Sequence, residues 1–81
     1  MNFHIIYTKS KMLLSKKPYN SWREIQDEYD DYKASLEFDS IEEIEDYLIL
    51  DYPDLKPSAK VQIAEFMALD SETKELTFDR V

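Results

Sequence analysis

The chain has 81 residues and a net charge of −8, with 43% hydrophobic and 35% charged residues, enough apolar residues for one modest core. It contains no cysteine and no glycine, which excludes disulfides, thiolate zinc sites, cysteine nucleophiles and the usual glycine-dependent phosphate loops. No signal peptide or membrane-spanning run is predicted, so the expected location is the cytoplasm. We expect one α+β domain over residues 1–81, with two or three short helices packed on a small sheet.

The first predicted element is a strand at residues 2–8. Its residues are β-branched and aromatic almost throughout, and both faces are expected to be covered. The sequence of residues 12–15 is compatible with either a second short strand or a helical segment, because Met and Leu occur in both. Since the chain has no glycine, tight hairpins are not expected, and wider loops or helices should join neighbouring strands.

The first predicted helix covers residues 21–34. Ser21 and Glu24 have the spacing of a capping box, which is typical of a helix start. Apolar residues then recur at helical spacing, which predicts one core-facing stripe formed by Trp22, Ile25, Tyr29 and Tyr32.

Two more helices are predicted, at 41–50 and 58–69. The second helix opens with a further capping box, Ser40 to Glu43. Apolar residues surround most of the third helix, so we expect it to be covered on several sides and to form the centre of the core.

Strands complete the predicted fold. A brief strand is possible at 36–38, between the first two helices. A final strand at 75–80 should turn Leu76 and Phe78 inward and pair with the first strand, in either direction.

The charges are segregated along the chain. Residues 1–23 hold five bases and no acid, whereas residues 24–55 hold thirteen acids against Lys33 alone, a net charge of −12. Because many of these acids fall on the predicted outer faces of two helices, they should combine into one negative surface. The proposed partner-binding acids are Glu24, Asp27, Asp31, Glu42, Glu43 and Asp46.

The acidic surface has two interpretations. It either keeps a small protein in solution, as charge runs usually do, or it binds a basic partner. Glu24, Asp27 and Asp31 would span about 10 Å of one helix, about the axial distance covered by three phosphates of one DNA strand. Such a surface repels nucleic acid and anionic membranes themselves, so neither is an expected partner.

Tyr52 stands in a predicted loop between Asp51 and Pro53. It either anchors an interface, as amphipathic rings beside carboxylates do, or folds back on the core.

Chemistry at single residues is weakly supported. His4, the only histidine, lies on an apolar strand, where a packed residue is favoured over a catalyst. The pairs Asp27 with Asp31 and Asp51 with Asp54 suit at most a weak divalent-ion site, because no glycine-bearing loop forms a cage. We therefore predict no catalytic residues, no resident metal and no cofactor.

The resulting hypothesis is a non-enzymatic protein that binds a larger basic protein, such as a nucleic-acid-binding effector or nuclease, and inhibits it by occluding its positive site. The profile is similar to that of phage or plasmid inhibitors that imitate nucleic acid, antitoxins and bacteriocin immunity proteins, although no aligned residues carry the similarity. The alternative is a structural or regulatory subunit that docks through an apolar patch, such as residues 12–14, with the acids only maintaining solubility.

Overall fold

A computed structural model of the protein describes residues 3–78. The elements in this part of the chain are β1 (Phe3–Thr8), β2 (Met12–Ser15), α1 (Trp22–Glu28), β3 (Tyr32–Phe38), α2 (Ile41–Asp51), α3 (Ala59–Ala68) and β4 (Thr73–Glu75). The strands form one antiparallel sheet in the order β3-β1-β2-β4. The predicted α+β class is confirmed, and none of the helices between residues 3 and 78 is long and apolar enough to cross a membrane.

The two central strands have both faces covered, as predicted for the first strand, and residues 12–15 form a strand and not a helix. Ile5 pairs with Leu14, and both side chains point to one core. Ile6 pairs with Leu13 on the opposite face and contributes to another core. Because side chains alternate between the two faces of the sheet, these strands contribute residues to two separate cores.

The larger core lies between the sheet and the α2–α3 pair. Its buried residues are Phe3, Ile5, Met12, Leu14, Ile44, Leu48, Leu55, Ala59, Ile63, Phe66 and Leu76. Phe66 of α3 has no exposed surface, which agrees with the predicted central role of this helix.

The expectation that α3 is covered on several sides is wrong. The helix buries one face, and Val61, Met67 and Leu69 each remain more than 40% exposed. The reason is that, among residues 3–78, α3 packs against the sheet and α2, and no further element covers its outer side.

The smaller core lies under α1 on the other face of the sheet. Ile6, Leu13 and Ile25 are buried there, and three half-buried tyrosines pack around them: Tyr19, Tyr29 and Tyr32. The sheet thus separates α1 from α2 and α3.

The predicted helix at 21–34 is wrong in its second half. The helix ends at Glu28, the chain turns, and residues 32–38 form β3, a longer strand than the one predicted at 36–38. Hydrogen-bonded pairing with β1 along most of the strand outweighs the helical spacing. Trp22 is 54% exposed and lies under the Arg23 guanidinium, outside the core.

The last strand, β4, pairs with β2 and not with the first strand, because β2 and β3 already occupy both edges of β1. Leu76 is buried, Phe78 is half-buried, and a single bridge joins Phe78 to Leu55. Residue 2 of the predicted first strand and residues 79–80 of the predicted last strand lie outside the described residues.

A tight turn joins β1 and β2, contrary to the expectation of wider connections. The Thr8 amide donates to the Lys11 carbonyl at 3.0 Å, and the Lys11 amide donates to the Thr8 hydroxyl at 3.0 Å. The hydroxyl accepts a bond that a backbone carbonyl usually takes in such turns. No residue between 3 and 78 has a positive φ, so the turn needs no glycine.

Candidate functional site

The acids of the two helices were expected to form one negative surface, and they do not. α1 covers the smaller core and α2 covers the larger core, so their outer faces lie on opposite sides of the sheet. Glu24 and Asp27 lie on α1, and Asp31 follows it in the chain. Glu42, Glu43 and Asp46 lie on α2.

The expected single-helix series of three carboxylates is also absent. Because α1 ends at Glu28, Asp31 lies in the turn just before β3, and the helical spacing that suggested a match to three phosphates ends before it. Asp31 is half-buried, whereas Glu24 and Asp27 are exposed.

Two of the six proposed acids accept hydrogen bonds from backbone amides at helix N-termini. Glu24 Oε1 accepts a hydrogen bond from the Asn20 backbone amide at 2.7 Å. Glu43 Oε2 accepts one from the Asp39 amide at 3.0 Å. Each carboxylate therefore satisfies a backbone donor at a helix N-terminus, where the helix dipole favours negative charge.

The other four proposed acids are not involved in contacts of this kind. Within residues 3–78, no side-chain hydrogen bond or ion pair is formed by Asp27, Asp31, Glu42 or Asp46. These carboxylates are therefore available to an external cation.

An open groove of about 550 Å³ lies between α1 and residues 17–20. Lys17 Nζ donates to Glu28 Oε1 at 2.7 Å, and the Tyr19 hydroxyl donates to the other oxygen of this carboxylate. The hydrogen bonds from Lys17 and Tyr19 hold the pKa of Glu28 below its ordinary value. Asp27 is consequently the groove carboxylate that has no internal partner within the described chain.

Tyr52 folds back on the core, one of its two anticipated positions. It caps the C-terminus of α2, and its ring lies 5.9 Å from that of Tyr47 and 6.1 Å from that of Phe78. Its hydroxyl is 3.1 Å from the Tyr7 hydroxyl. Burial raises the pKa of Tyr7, so the Tyr7 phenol remains neutral.

His4 is a packed residue, as the apolar strand predicted. Its ring meets the edge of Tyr19 at 5.3 Å, and Nε2 lies 3.5 Å from a Glu37 oxygen. Nδ1 is buried and has no hydrogen-bond partner within the described part of the chain. Burial lowers the pKa of His4 despite the nearby carboxylate.

The apolar patch suggested at residues 12–14 is unavailable, because Met12, Leu13 and Leu14 lie in the cores. Sequence reasoning missed a different patch, in which Ile49 is 50% exposed and Leu50 is 80% exposed. The signal was present, since both residues fall outside the inner helix stripe of Ile41, Ile44 and Leu48.

Within residues 3–78, no three carboxylate or histidine side chains are placed to hold a metal ion. Comparison of the chain with protein-family models, curated proteins and solved structures found no match. Function is therefore inferred from the charges and contacts above.

Proposed function

We propose that this protein is a non-enzymatic cytoplasmic binding protein, which presents carboxylates to the positive site of a larger protein and blocks that site. The observation that carries this proposal is the set of four proposed acids that form no hydrogen bond or ion pair with the described part of the chain. A nucleic-acid-binding effector or nuclease is the partner class that fits best, because its positive site attracts the same charge.

The bases of the chain neutralise little of the acidic segment. Lys17 pairs with Glu28, and Lys16 donates to the carbonyls of Phe66 and Leu69 at 3.2 and 2.8 Å, at the end of α3. Among residues 3–78, ion pairs therefore compensate only a small part of the net charge of −12 on residues 24–55. Repulsion among these carboxylates costs stability that a basic partner would restore.

Affinity capture with three baits tests the proposal. The baits are the wild-type protein, the double variant Asp27→Lys with Asp31→Lys, and a control with Asp70→Lys and Glu72→Lys. Both variants change the net charge equally, but only the first alters the acidic segment. Circular dichroism should show the same fold for all three.

We expect a basic partner that binds the wild type and the control, loses the first variant and dissociates as salt is raised. A partner held equally by all three baits at every salt concentration would show that these acids only maintain solubility. The purified protein itself should not bind DNA or RNA, since its acidic segment repels phosphates.

A second candidate is a subunit that docks through the patch of Ile49 and Leu50. It is favoured by the exposure of both side chains beside an apolar groove near Tyr52 and Leu55. Replacing both with serine in a fourth bait should release such a partner and leave a charge-dependent partner bound.

A further inference from the structure

The sheet has two edges of different character. On one side β4 is only three residues long, and short edge strands are a common protection against unwanted pairing. On the other side β3 has seven residues and pairs with β1 along one edge only. Within residues 3–78, no strand pairs with its outer edge.

The outer edge of β3 is accessible and mostly regular. Its four exposed residues are Lys33, Ala34, Leu36 and Glu37, and it contains no proline. The irregularity in its pairing with β1 falls at the start of the strand, between the partners of Tyr7 and Thr8. A stretch of unpaired amides and carbonyls is therefore available to another extended chain.

The surroundings of this edge are acidic on both sides. α1 contacts β3 from one face of the sheet and α2 contacts it from the other. Asp31 immediately precedes β3, and Asp39 immediately follows it. The two acidic helices thus lie on opposite faces of one open strand, with a carboxylate at each of its ends.

We propose that the outer edge of β3 accepts an extended basic segment of the partner protein as a fifth strand. Side chains of an added strand alternate between the two faces of a sheet, so lysines or arginines near its ends would approach Asp31 and Asp39, which flank β3, with the acidic helices α1 and α2 on the two faces. This inference rests on the proposed function, and it names the binding mode and the chemistry of the bound segment.

Charge selects the basic segment over a second copy of this chain. If two β3 strands paired antiparallel about Ser35, Lys33 would face Glu37 of the second copy, which is favourable. The same register would place Asp31 opposite Asp39 at both ends, where like charges repel. A net charge of −8 on each copy adds to that repulsion.

The test uses a synthetic peptide of about nine residues, enough to span β3 and overhang both ends. Valines and threonines form its centre, and two adjacent lysines at each end place positive charge on both faces. A second peptide carries N-methyl groups on every central residue, which keeps the charge and removes the amide donors. A third peptide is methylated on alternate central residues only, so that one edge remains able to pair.

At low salt we expect the first and third peptides to bind the full chain at least about tenfold more tightly than the fully methylated peptide. Binding should slow hydrogen exchange of β3 amides and leave those of β4 unchanged. Replacing Asp31 and Asp39 with asparagine should weaken binding of the first peptide. The control replacements Asp70→Asn and Glu72→Gln should not weaken it.

Other results would overturn the inference in distinguishable ways. Equal binding of all three peptides, still weakened by the change at Asp31 and Asp39, would leave the acidic site in place and remove the strand edge from it. Absence of lysine-peptide binding to every variant would count against both proposals. Concentration-dependent protection of β3 without peptide would identify a second copy as the occupant.

Discussion

Burial, and not the nearby carboxylate, decides the charge state of His4. Glu37 at 3.5 Å favours the imidazolium, but protonation would place a second N–H on the buried Nδ1, which has no acceptor within the described residues. The pKa of His4 therefore falls below its ordinary value of 6.5.

The lowered pKa predicts a pH dependence of stability. The unfolded chain binds a proton at His4 more readily than the folded protein does. The stability that neutral His4 contributes is therefore fully present above pH 6.5 and is lost as the pH falls through the folded-state pKa. The free energy of unfolding should decrease from about pH 7 to about pH 5, and less steeply in a His4→Gln variant. Chemical denaturation at several pH values measures both slopes, and equal slopes would contradict the assignment.

Gln62 is a fully buried polar side chain with three hydrogen bonds. Its Nε2 donates to the carbonyls of Pro57 and Thr77 at 2.7 and 2.8 Å, and its Oε1 accepts from the Thr77 amide at 2.9 Å. One side chain therefore joins α3 to the loop before it and to the segment after β4.

Replacing Gln62 with leucine should lower the free energy of unfolding by about 1–3 kcal/mol, because the Pro57 carbonyl and the Thr77 amide lose this partner in a half-buried site, although the Thr77 carbonyl still accepts from the Lys56 amide. Lys60→Ala, at an exposed position of the same helix, is the control and should change it by less than about 0.5 kcal/mol. Urea denaturation compares the two variants, and equal effects would mean that water replaces the side chain without cost.

The first two helices begin with the same sequence pattern but different contacts. The Ser40 hydroxyl accepts a hydrogen bond from the Glu43 amide at 3.3 Å, so α2 has the predicted side-chain cap. The Ser21 hydroxyl makes no such bond, and α1 is held by the Glu24 carboxylate instead. Ser40→Ala should therefore cost about 1 kcal/mol and Ser21→Ala clearly less, as thermal unfolding would show. Equal losses would mean that the hydroxyl of Ser40 is not the cap.

The boundary between α1 and β3 shows where sequence reasoning fails in this chain. Tyr29 and Tyr32 do pack beside Ile25, as their spacing predicted, but they reach it from a turn and from a strand. The spacing identified the shared core and not the backbone conformation. Only the pairing of β3 with β1 distinguishes a strand from a helix here. This pairing joins residues that are distant in sequence, so a local sequence pattern cannot reveal it.

The candidate site was predictable residue by residue but not as an arrangement. Exposure of Asp27 and Asp46 follows from their positions on outer helix faces. Their separation depends on which face of the sheet each helix covers, and chain order does not fix this. The capping roles of Glu24 and Glu43 were foreseeable from the Ser-x-x-Glu pattern, which places a carboxylate near free backbone amides.

Charge repulsion across the molecule predicts an unusual response to salt. Few ion pairs form within the described residues, while thirteen acids lie between residues 24 and 55, so screening should remove more repulsion than attraction. Raising sodium chloride from low concentration to about 0.5 M should increase the Tm, and potassium chloride should act alike. A variant with Asp27→Asn and Asp46→Asn should start from a higher Tm and respond less. A Tm that falls with salt would reveal attractive pairs that dominate.

The β1–β2 turn has a consequence for engineering. Lys9 and Ser10 are exposed, adopt no positive φ and leave the turn hydrogen bonds to Thr8 and Lys11. Any residue except proline can occupy such backbone positions without strain. These two positions therefore suit randomisation in a display library. They lie at the tip of the central hairpin, where varied side chains would project from the most completely buried strands of the domain.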